Sequence, residues 1–263
     1  MDKLTVTFIQ TYLYWEDPVR NIQHFRELFD SIESQSDLIL LPEMFNTGFS
    51  IHPQTFAESM DGPSVVFLRN ESEKRNATIM ATLLIRELDY FVNRLICVFP
   101  DGKILTYDKR HLFRLSEESR ALQAGKSRIA ADVNGWKIMP MICYDLRFPV
   151  WTKNTFQNGK YEYDVLVFLA NWPENRRKVW KTLLKARAIE NQAYVIGVNR
   201  IGADGHGTNH SGDSMMIAPE GKVLLKAYPR TEMIQTIALS KPDLDLYRES
   251  FTVGLDWDQF TVY

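Results

Sequence analysis

Residues 164–199 read DVLVFLANWPENRRKVWKTLLKARAIENQAYVIGVN, and this stretch alternates strand, helix and strand. The apolar runs 164–170 and 194–199 are typical of strands buried on both faces. Between them, residues 176–192 place apolar side chains at three- and four-residue steps, which predicts a helix with one face turned inward. A β-α-β unit of this kind indicates an α/β fold.

The same alternation continues on both sides of this stretch. Two roughly similar α-β-β halves emerge, with strands outnumbering helices. They favour a four-layer α-β-β-α sandwich over an eightfold barrel, although periodicity alone leaves both open. The other predicted segments are strands at 5–9, 38–41, 78–85, 91–99, 103–107, 128–133, 136–143, 215–218, 222–227 and 233–239, and helices at 22–32 and 64–75.

We expect residues 1–263 to form a single domain. No repeat or linker divides the chain, and a composition of 45% hydrophobic residues can bury a large core. The chain from Leu246 onward is aromatic but weakly periodic, and we expect the C-terminal tail, residues 241–263, to pack on a partner subunit. The first residues carry charges and alternate in polarity, which is unlike a signal peptide or a membrane span, so we place the protein in the cytoplasm.

The composition excludes several classes of function. A formal net charge of −2 gives no electrostatic basis for binding nucleic acid or an anionic membrane. The two cysteines, Cys97 and Cys143, have neither CxxC nor Cys/His ligand spacing. A disulfide framework and a zinc site therefore lack support, and we expect no metal and no cofactor. Any special cysteine is then a free thiol.

Cys143 is the candidate nucleophile. The apolar run 138–142 delivers it to the start of a polar turn, and strand ends are where α/β enzymes place reactive groups. A cysteine reacts as its thiolate, so it needs a cation or a base nearby. Taken alone, a lone cysteine is more often buried and inert. We give that interpretation to Cys97, which lies inside the apolar run 95–99.

Two other strand ends carry the groups that Cys143 needs. Glu43 directly follows the apolar run 38–42, where a carboxylate shielded from solvent suits a general base. Lys109 lies in the charged stretch 108–126, a loop long enough to suggest function. Its ammonium can favour the thiolate and stabilise an oxyanion. Singly, each charge is more often solvated; together, the three residues supply a proton carrier, a stabiliser and a nucleophile.

Five segments resemble the carbon-nitrogen hydrolases of the nitrilase superfamily. They are LLPEMFNTGF around Glu43, YDKRHLF around Lys109, MICYDLRFP around Cys143, and LANWPENR and ARAIENQAYVIGVNRIG further downstream. The similarity covers residues 4 to 240, nearly the whole chain. It is greatest to the omega-amidase branch, whose enzymes remove the terminal amide of 2-oxo acids such as 2-oxoglutaramate and 2-oxosuccinamate.

The resemblance implies a triad of Glu43, Lys109 and Cys143, the α-β-β-α sandwich, and a homodimer. A second glutamate of the family maps onto Glu118, which would orient Lys109 and water; Glu117 stands beside it. The implied reaction is hydrolysis of a small carboxylate-bearing amide to the acid and ammonia.

The residues predict a matching mechanism through a cysteine thioester. Glu43 takes the proton from Cys143 and passes it to the leaving nitrogen, while Lys109 and the main-chain N–H of Tyr144 hold the tetrahedral oxyanion. Ammonia leaves, and Glu43 then activates water against the thioester.

Four further residues are candidates for substrate binding. Arg147, four residues beyond the nucleophile, has the planar fork that matches a substrate carboxylate. The alternative for Arg147 is a structural pair with Asp145 or another acid. Phe49 and Trp172, together with Phe45, are expected to wall a small pocket, and the alternative is that they belong to the core.

Other activities stay open at this point. Nitrile or carbamoyl-amide hydrolysis would use the same fold. A thiol-redox protein would need a second, resolving cysteine. A catalytically silent interaction protein of this family would have lost a member of the triad. His111 is interpreted as a hydrogen-bonding loop residue in preference to a base. Arg187 and Glu190, three residues apart on a helix, are interpreted as a structural ion pair.

Overall fold

The computed structural model of the protein describes residues 1–262, which form a sandwich built on two six-stranded sheets. The strands are β1 Lys3–Gln10, β2 Leu38–Leu40, β3 Thr78–Arg86, β4 Phe91–Val98, β5 Ile104–Asp108, β6 Ala131–Val133, β7 Trp136–Ile142, β8 Phe156–Gln157, β9 Lys160–Tyr161, β10 Val165–Ala170, β11 Tyr194–Asn199, β12 Ile201–Ala203, β13 Asn209–Ser211, β14 Met215–Ile217, β15 Val223–Lys226 and β16 Met233–Ser240.

Seven α-helices in the described residues connect or flank these strands. They are α1 Pro18–Asp30, α2 Pro53–Phe56, α3 Pro63–Arg75, α4 Glu118–Ala121, α5 Pro149–Thr152, α6 Arg177–Asn191 and α7 Lys241–Ser250. Short 3-10 helices lie at Cys143–Arg147, Glu174–Arg176 and Val253–Asp256. Within residues 1–262, no helix is both long and apolar enough to cross a bilayer.

The first sheet has the order β16-β1-β2-β3-β4-β5, and the second has the order β15-β14-β11-β10-β7-β6. In the first, β1, β2 and β3 are parallel; in the second, β7, β10 and β11 are parallel. Because β4 is antiparallel to both β3 and β5, β5 ends at the same edge as β2. The residues that follow β2 and β5 therefore lie near each other.

The two sheets pack face to face, which confirms the sandwich predicted from the sequence. Phe8 and Leu95 of the first sheet share one buried cluster with Met141 and Phe168 of the second. The outer face of the first sheet packs against α1 and α3 through a separate cluster. On the second sheet, α6 buries Trp180 and Leu184. The layers therefore run helix, sheet, sheet, helix.

Two of the predicted segments differ from the structure. The strand predicted at 128–133 begins only at Ala131, because the Arg128 guanidinium binds the carbonyls of Trp151 and Lys153 and pairs with Glu162. Those contacts hold the start of the segment away from the ladder.

The tail predicted to be weakly periodic contains α7, which packs on its own chain. Leu244 is fully buried, and the Arg248 guanidinium binds Asp164 and two main-chain carbonyls. The helix was missed because these two inward positions, four residues apart, leave almost no apolar periodicity to detect. Whether the tail also contacts a second subunit stays a prediction.

Candidate active site

Glu43 and Lys109 form a buried ion pair at the edge where β2 and β5 end. The Lys109 Nζ lies 2.8 Å from Glu43 Oε1, and both side chains are almost completely shielded from solvent. Glu43 is also held by the main-chain N–H of Asn171, which donates to Oε2 over 2.8 Å. The carboxylate and the ammonium thus have one defined arrangement.

Glu118 lies on the other side of the same ammonium. Lys109 Nζ is 2.9 Å from Glu118 Oε1 and 3.1 Å from Oε2, and the main-chain N–H of Phe113 donates to Oε2 over 2.6 Å. The neighbouring Glu117 instead pairs with Arg120 at the surface. Of the two glutamates in this loop, the structure brings Glu118 to Lys109.

Cys143 begins the 3-10 helix that follows β7 and lines the same cavity as Lys109. Its backbone has a φ of 41°, a left-handed conformation that is uncommon for a residue with a side chain. Strain of this kind persists where the surrounding structure fixes it, and it is frequent at functional sites. The sharp turn ends the buried strand at the thiol.

The electrostatics of the thiol differ from the sequence expectation. Burial, the Glu43 charge and a hydrogen bond from the thiol to Glu43 together raise the pKa of Cys143 well above its usual value. Lys109 acts in the opposite direction but does not compensate. The resting group is therefore a thiol, and its proton has an acceptor beside it in Glu43.

The other two charged groups also have shifted pKa values. Burial tends to lower the pKa of Lys109, but Glu118 and Glu43 outweigh burial and raise it, so Lys109 stays an ammonium. Burial and the nearby Glu43 raise the pKa of Glu118, against the effect of Lys109. An ammonium has three N–H donors; when the two Glu118 oxygens share one N–H and Glu43 takes another, the third is left for an oxyanion.

Two asparagines at the site were not assigned from the sequence. Asn93, fully buried in β4, donates from Nδ2 to Glu43 Oε1 over 2.9 Å and faces Glu118 Oε1 at 3.4 Å. Asn171, just after β10, donates from Nδ2 to the main-chain carbonyl of Glu43 over 2.5 Å. The only sequence signal for Asn93 is a polar residue inside an apolar strand, whereas Asn171 stands in the LANWPENR segment without an assigned role.

A cavity of about 280 Å³ opens beside Cys143. Phe49 and Trp172 line it as predicted, and the Phe49 ring centroid lies 5.2 Å from Lys109 Nζ. Phe45 does not line it; this side chain is fully buried and packs edge-on against Phe25 in the core between the first sheet and its helices. Tyr144 also contributes to the wall, next to the nucleophile.

Arg147 lines the cavity and is not paired with Asp145. Its guanidinium lies over the Trp172 ring, 5.0 Å from the centroid. Within residues 1–262, no carboxylate oxygen lies within 4.0 Å of this guanidinium. Of the two interpretations weighed for Arg147, the structure excludes the pair with Asp145 and leaves the cation available to a ligand.

Asp145 instead connects the Cys143 turn to the Lys109 loop. It accepts hydrogen bonds from Tyr107 Oη at 2.7 Å, from the main-chain N–H of Ile142 at 3.0 Å and from the main-chain N–H of His111 at 3.0 Å. His111 Nδ1 lies 2.8 Å from the same carboxylate, and its ring stacks on Phe148 at 3.6 Å. His111 is thus a hydrogen-bonding loop residue, as expected.

The remaining predicted residues lie outside the cavity. Arg187 pairs with Glu190 at 2.9 Å, which confirms the predicted helix ion pair. Cys97 is fully buried in β4, as expected, and burial raises its pKa. In the part of the chain that the structure describes, no group of three or more His, Cys, Asp or Glu side chains is arranged to hold a metal ion.

Comparison with known proteins gives consistent results for sequence and structure. The family model for carbon-nitrogen hydrolases matches residues 5–249. An omega-amidase, YafV, of Yersinia enterocolitica is 42% identical over 99% of both chains. A 2-oxoglutaramate amidase of Bacillus subtilis is 31% identical, covering 95% of this chain and 96% of its own length.

Two solved structures share the fold over almost the entire chain. XC1258 from Xanthomonas campestris, a CN-hydrolase superfamily protein crystallised with an arsenic adduct in its active site, superposes with a TM-score of 0.97 at 38% identity and full coverage of both chains. Nit3 of Saccharomyces cerevisiae, a member of the nitrilase superfamily, gives a TM-score of 0.83 at 25% identity, covering 95% of this chain and 94% of its own.

Proposed function

The chain belongs to the carbon-nitrogen hydrolase family, and within that family we propose that it is an omega-amidase that hydrolyses the terminal amide of small 2-oxo acid amides. It is a hydrolase of carbon–nitrogen bonds other than peptide bonds. The observation that carries the proposal is the buried Glu43–Lys109–Glu118 cluster, whose Lys109 lines the same cavity as Cys143.

Acylation begins with attack of Cys143 Sγ on the amide carbon. Glu43, whose charge acts on the thiol, takes the proton as the C–S bond forms. Lys109 and the main-chain N–H of Tyr144 stabilise the negative oxygen of the tetrahedral intermediate. Glu43 then gives the proton to the nitrogen and the C–N bond breaks. Ammonia departs, and the acyl group remains on Cys143 as a thioester.

Deacylation uses the same groups with water as the nucleophile. Glu43 takes a proton from water as the water oxygen attacks the thioester carbon, and Lys109 again stabilises the oxyanion. The C–S bond breaks and the proton returns to the Cys143 sulfur, so the free acid leaves and the resting thiol is restored. Glu118 orients Lys109 throughout and keeps its ammonium in place.

The substrate class rests on the relatives and on Arg147. The similar proteins include an omega-amidase and a 2-oxoglutaramate amidase, both matched over most of their length. The Arg147 guanidinium lies in the cavity wall without a carboxylate partner in the described residues, so it is available to the carboxylate of the substrate. Phe49, Tyr144 and Trp172 would enclose the short carbon chain of the substrate, between its amide and its carboxylate.

We further propose that the enzyme works as a homodimer in the cytoplasm. A catalytic thiol must stay reduced, and in the described residues both Cys97 and Cys143 are free. The exposed apolar side chains of the C-terminal segment provide a surface that a second subunit would cover.

Ammonia release from a panel of amides tests the proposed function. The panel comprises 2-oxoglutaramate, 2-oxosuccinamate, glutamine, asparagine, aliphatic amides, a carbamoyl amide and nitriles. We expect the two 2-oxo acid amides to give the highest kcat/KM and Cys143→Ala to abolish their turnover while the melting temperature is retained. Cys97→Ala is the control and should retain activity. A preference for nitriles or for carbamoyl amides would contradict the assignment.

A further inference from the structure

Arg176 is a second guanidinium in the wall of the cavity. It ends the 3-10 helix Glu174–Arg176, which follows β10 directly before α6. Its guanidinium carbon lies 5.5 Å from the centroid of Phe113, in the loop that carries Lys109. Arg176 and Arg147 thus reach the same cavity from different elements, each against an aromatic ring.

The acidic side chains that could neutralise Arg176 are bound elsewhere. Glu174, two residues away, pairs with Arg230. Asp213 forms a two-point contact with the adjacent Arg177, with distances of 2.9 Å and 2.8 Å. Within residues 1–262, no carboxylate lies within 4.0 Å of the Arg176 guanidinium.

Trp172 contacts the Arg147 guanidinium and the main chain of Arg176. Its indole N–H donates to the main-chain carbonyl of Arg176 over 3.0 Å, and its ring lies beneath Arg147. The Trp172 main chain is fixed in turn by Asn199, whose Oδ1 accepts the Trp172 N–H at 2.7 Å. Within residues 1–262, each cation therefore lies against an aromatic ring, Arg147 against Trp172 and Arg176 against Phe113, and neither has an acidic partner. Such unneutralised, partly desolvated cations favour an anionic ligand.

We propose that Arg176 and Arg147 together form the subsite for the substrate carboxylate, so that the cavity selects amides whose far end is anionic. This inference rests on the proposed function, because it assumes that the substrate is a carboxylate-bearing amide. It assigns a binding role to Arg176 that sequence reasoning did not give it.

The same subsite distinguishes 2-oxo acids from 2-amino acids. An ammonium next to the carboxylate, as in glutamine, lies close to two guanidiniums and is repelled. A 2-oxo group at that position is a hydrogen-bond acceptor, which matches guanidinium N–H donors. Asp204 also lines the cavity, but its carboxylate accepts the main-chain N–H groups of His206 and Thr208, each at 2.9 Å.

The test compares the wild type with Arg176→Gln and Arg176→Lys on three amides of equal length. These are 2-oxoglutaramate, the monoamide of glutaric acid, and pentanamide, which has no charge. Lys178→Gln is the control, because it removes an equal charge from an exposed position outside the cavity. Melting temperatures show whether each variant is folded.

We expect Arg176→Gln to raise KM for both carboxylate-bearing amides by about 10- to 100-fold, as the loss of a charged hydrogen bond does. The KM of Arg176→Lys should lie between those of the wild type and the glutamine variant, because an ammonium keeps the charge but lacks the planar fork of a guanidinium. Hydrolysis of pentanamide should change less than about 3-fold, within the uncertainty of such comparisons. Lys178→Gln should resemble the wild type on all three amides.

Failure of this inference is separable from failure of the proposed function. If the wild-type enzyme does not hydrolyse 2-oxoglutaramate but hydrolyses pentanamide, the proposed function is wrong. If the wild type hydrolyses 2-oxoglutaramate well, an Arg176→Gln variant unchanged on it overturns the role of Arg176. An equal loss on charged and neutral amides also overturns that role, because it shows that Arg176 only supports the cavity wall.

Discussion

Lys109 sets the charge of the site because its ammonium lies between two buried carboxylates. A nearby negative charge opposes formation of a thiolate, and this adds to the effect of burial on the pKa of Cys143. The nucleophile therefore loses its proton during attack and not before it, which makes the position of Glu43 critical.

Asn93 is a positioning residue by this argument, because it holds the Glu43 carboxylate from the side away from Asn171. Replacing it with alanine should lower kcat by about 10-fold or more, since a modest misplacement of a catalytic group is costly. KM should change little, because Asn93 does not line the cavity. Steady-state kinetics of Asn93→Ala check this split.

The conservative variant Asn93→Asp sharpens that test. It keeps the shape but adds a third carboxylate beside Glu43 and Glu118, so it should be less active than the alanine variant. Unchanged kcat in both folded variants would show that Asn93 only fills space.

His210 provides a pH-dependent contribution to stability. Burial, reinforced by Arg200, lowers its pKa to about 4, although Asp204 acts in the opposite direction. In the unfolded chain, this histidine has its ordinary pKa of 6.5. The contribution of His210 to the free energy of unfolding is therefore complete above pH 6.5 and is lost as the pH falls toward 4. At about pH 5 the loss is about 2 kcal/mol.

Urea unfolding of the wild type and His210→Gln across this pH range measures that contribution. The free energy of unfolding of the wild type should fall more steeply below about pH 6 than that of the variant, because glutamine does not titrate. Parallel curves for the two proteins would mean that His210 is protonated in the folded state as readily as in the unfolded chain.

At the scale of elements, the Lys109 loop is closed by a close main-chain approach at Gly125. The Gly125 N–H donates to the Lys109 carbonyl over 2.9 Å, and a Cβ added there would lie 2.0 Å from the Asp108 carbonyl oxygen. Gly125→Ala must therefore move the segment that carries Lys109, and we expect it to lose nearly all activity and to unfold at a lower temperature.

Gly102→Ala is the matched control for this prediction. An added Cβ at Gly102 meets no atom within 4 Å, although its φ is +83°. Its cost should be about 1 kcal/mol of backbone strain, without loss of activity. Equal activity and equal melting temperature of the two variants would show that the close main-chain approach at Gly125 is not required.

The elements also explain how far the sequence alone could lead. The strands before Glu43 and Cys143 were predicted because buried strands leave apolar runs that stop at a polar residue. The strand before Lys109, Ile104–Asp108, is only partly buried and was predicted as the return strand of a hairpin. Asn93 could not be assigned in this way, because its role depends on which loops of neighbouring strands reach it. The same holds for Asp145 and for Arg176, whose partners come from segments distant in sequence.

At the scale of the whole molecule, an exposed apolar surface remains on the C-terminal segment. Phe251, Leu255 and Phe260 expose 57%, 69% and 47% of their surface. We predict that this segment contributes to a homodimer at micromolar concentration and that Leu255→Asp weakens it, because a buried charge at an interface is costly. Sedimentation equilibrium of both proteins checks this.

Leu88→Asp is the control for the dimer, since Leu88 is almost fully exposed in the turn between β3 and β4. It should leave the mass in solution unchanged. A wild-type protein that sediments as a monomer at all concentrations would rule out this interface.

The mass of the enzyme during turnover tests the central claim most directly. Wild-type protein mixed with 2-oxoglutaramate and quenched in acid should gain the mass of the substrate less that of ammonia, located on the peptide that contains Cys143. Added hydroxylamine should remove this adduct and release the hydroxamate, and Cys143→Ala should form neither product. Ammonia release by wild-type enzyme with no adduct on Cys143, or undiminished turnover by Cys143→Ala, would contradict the account.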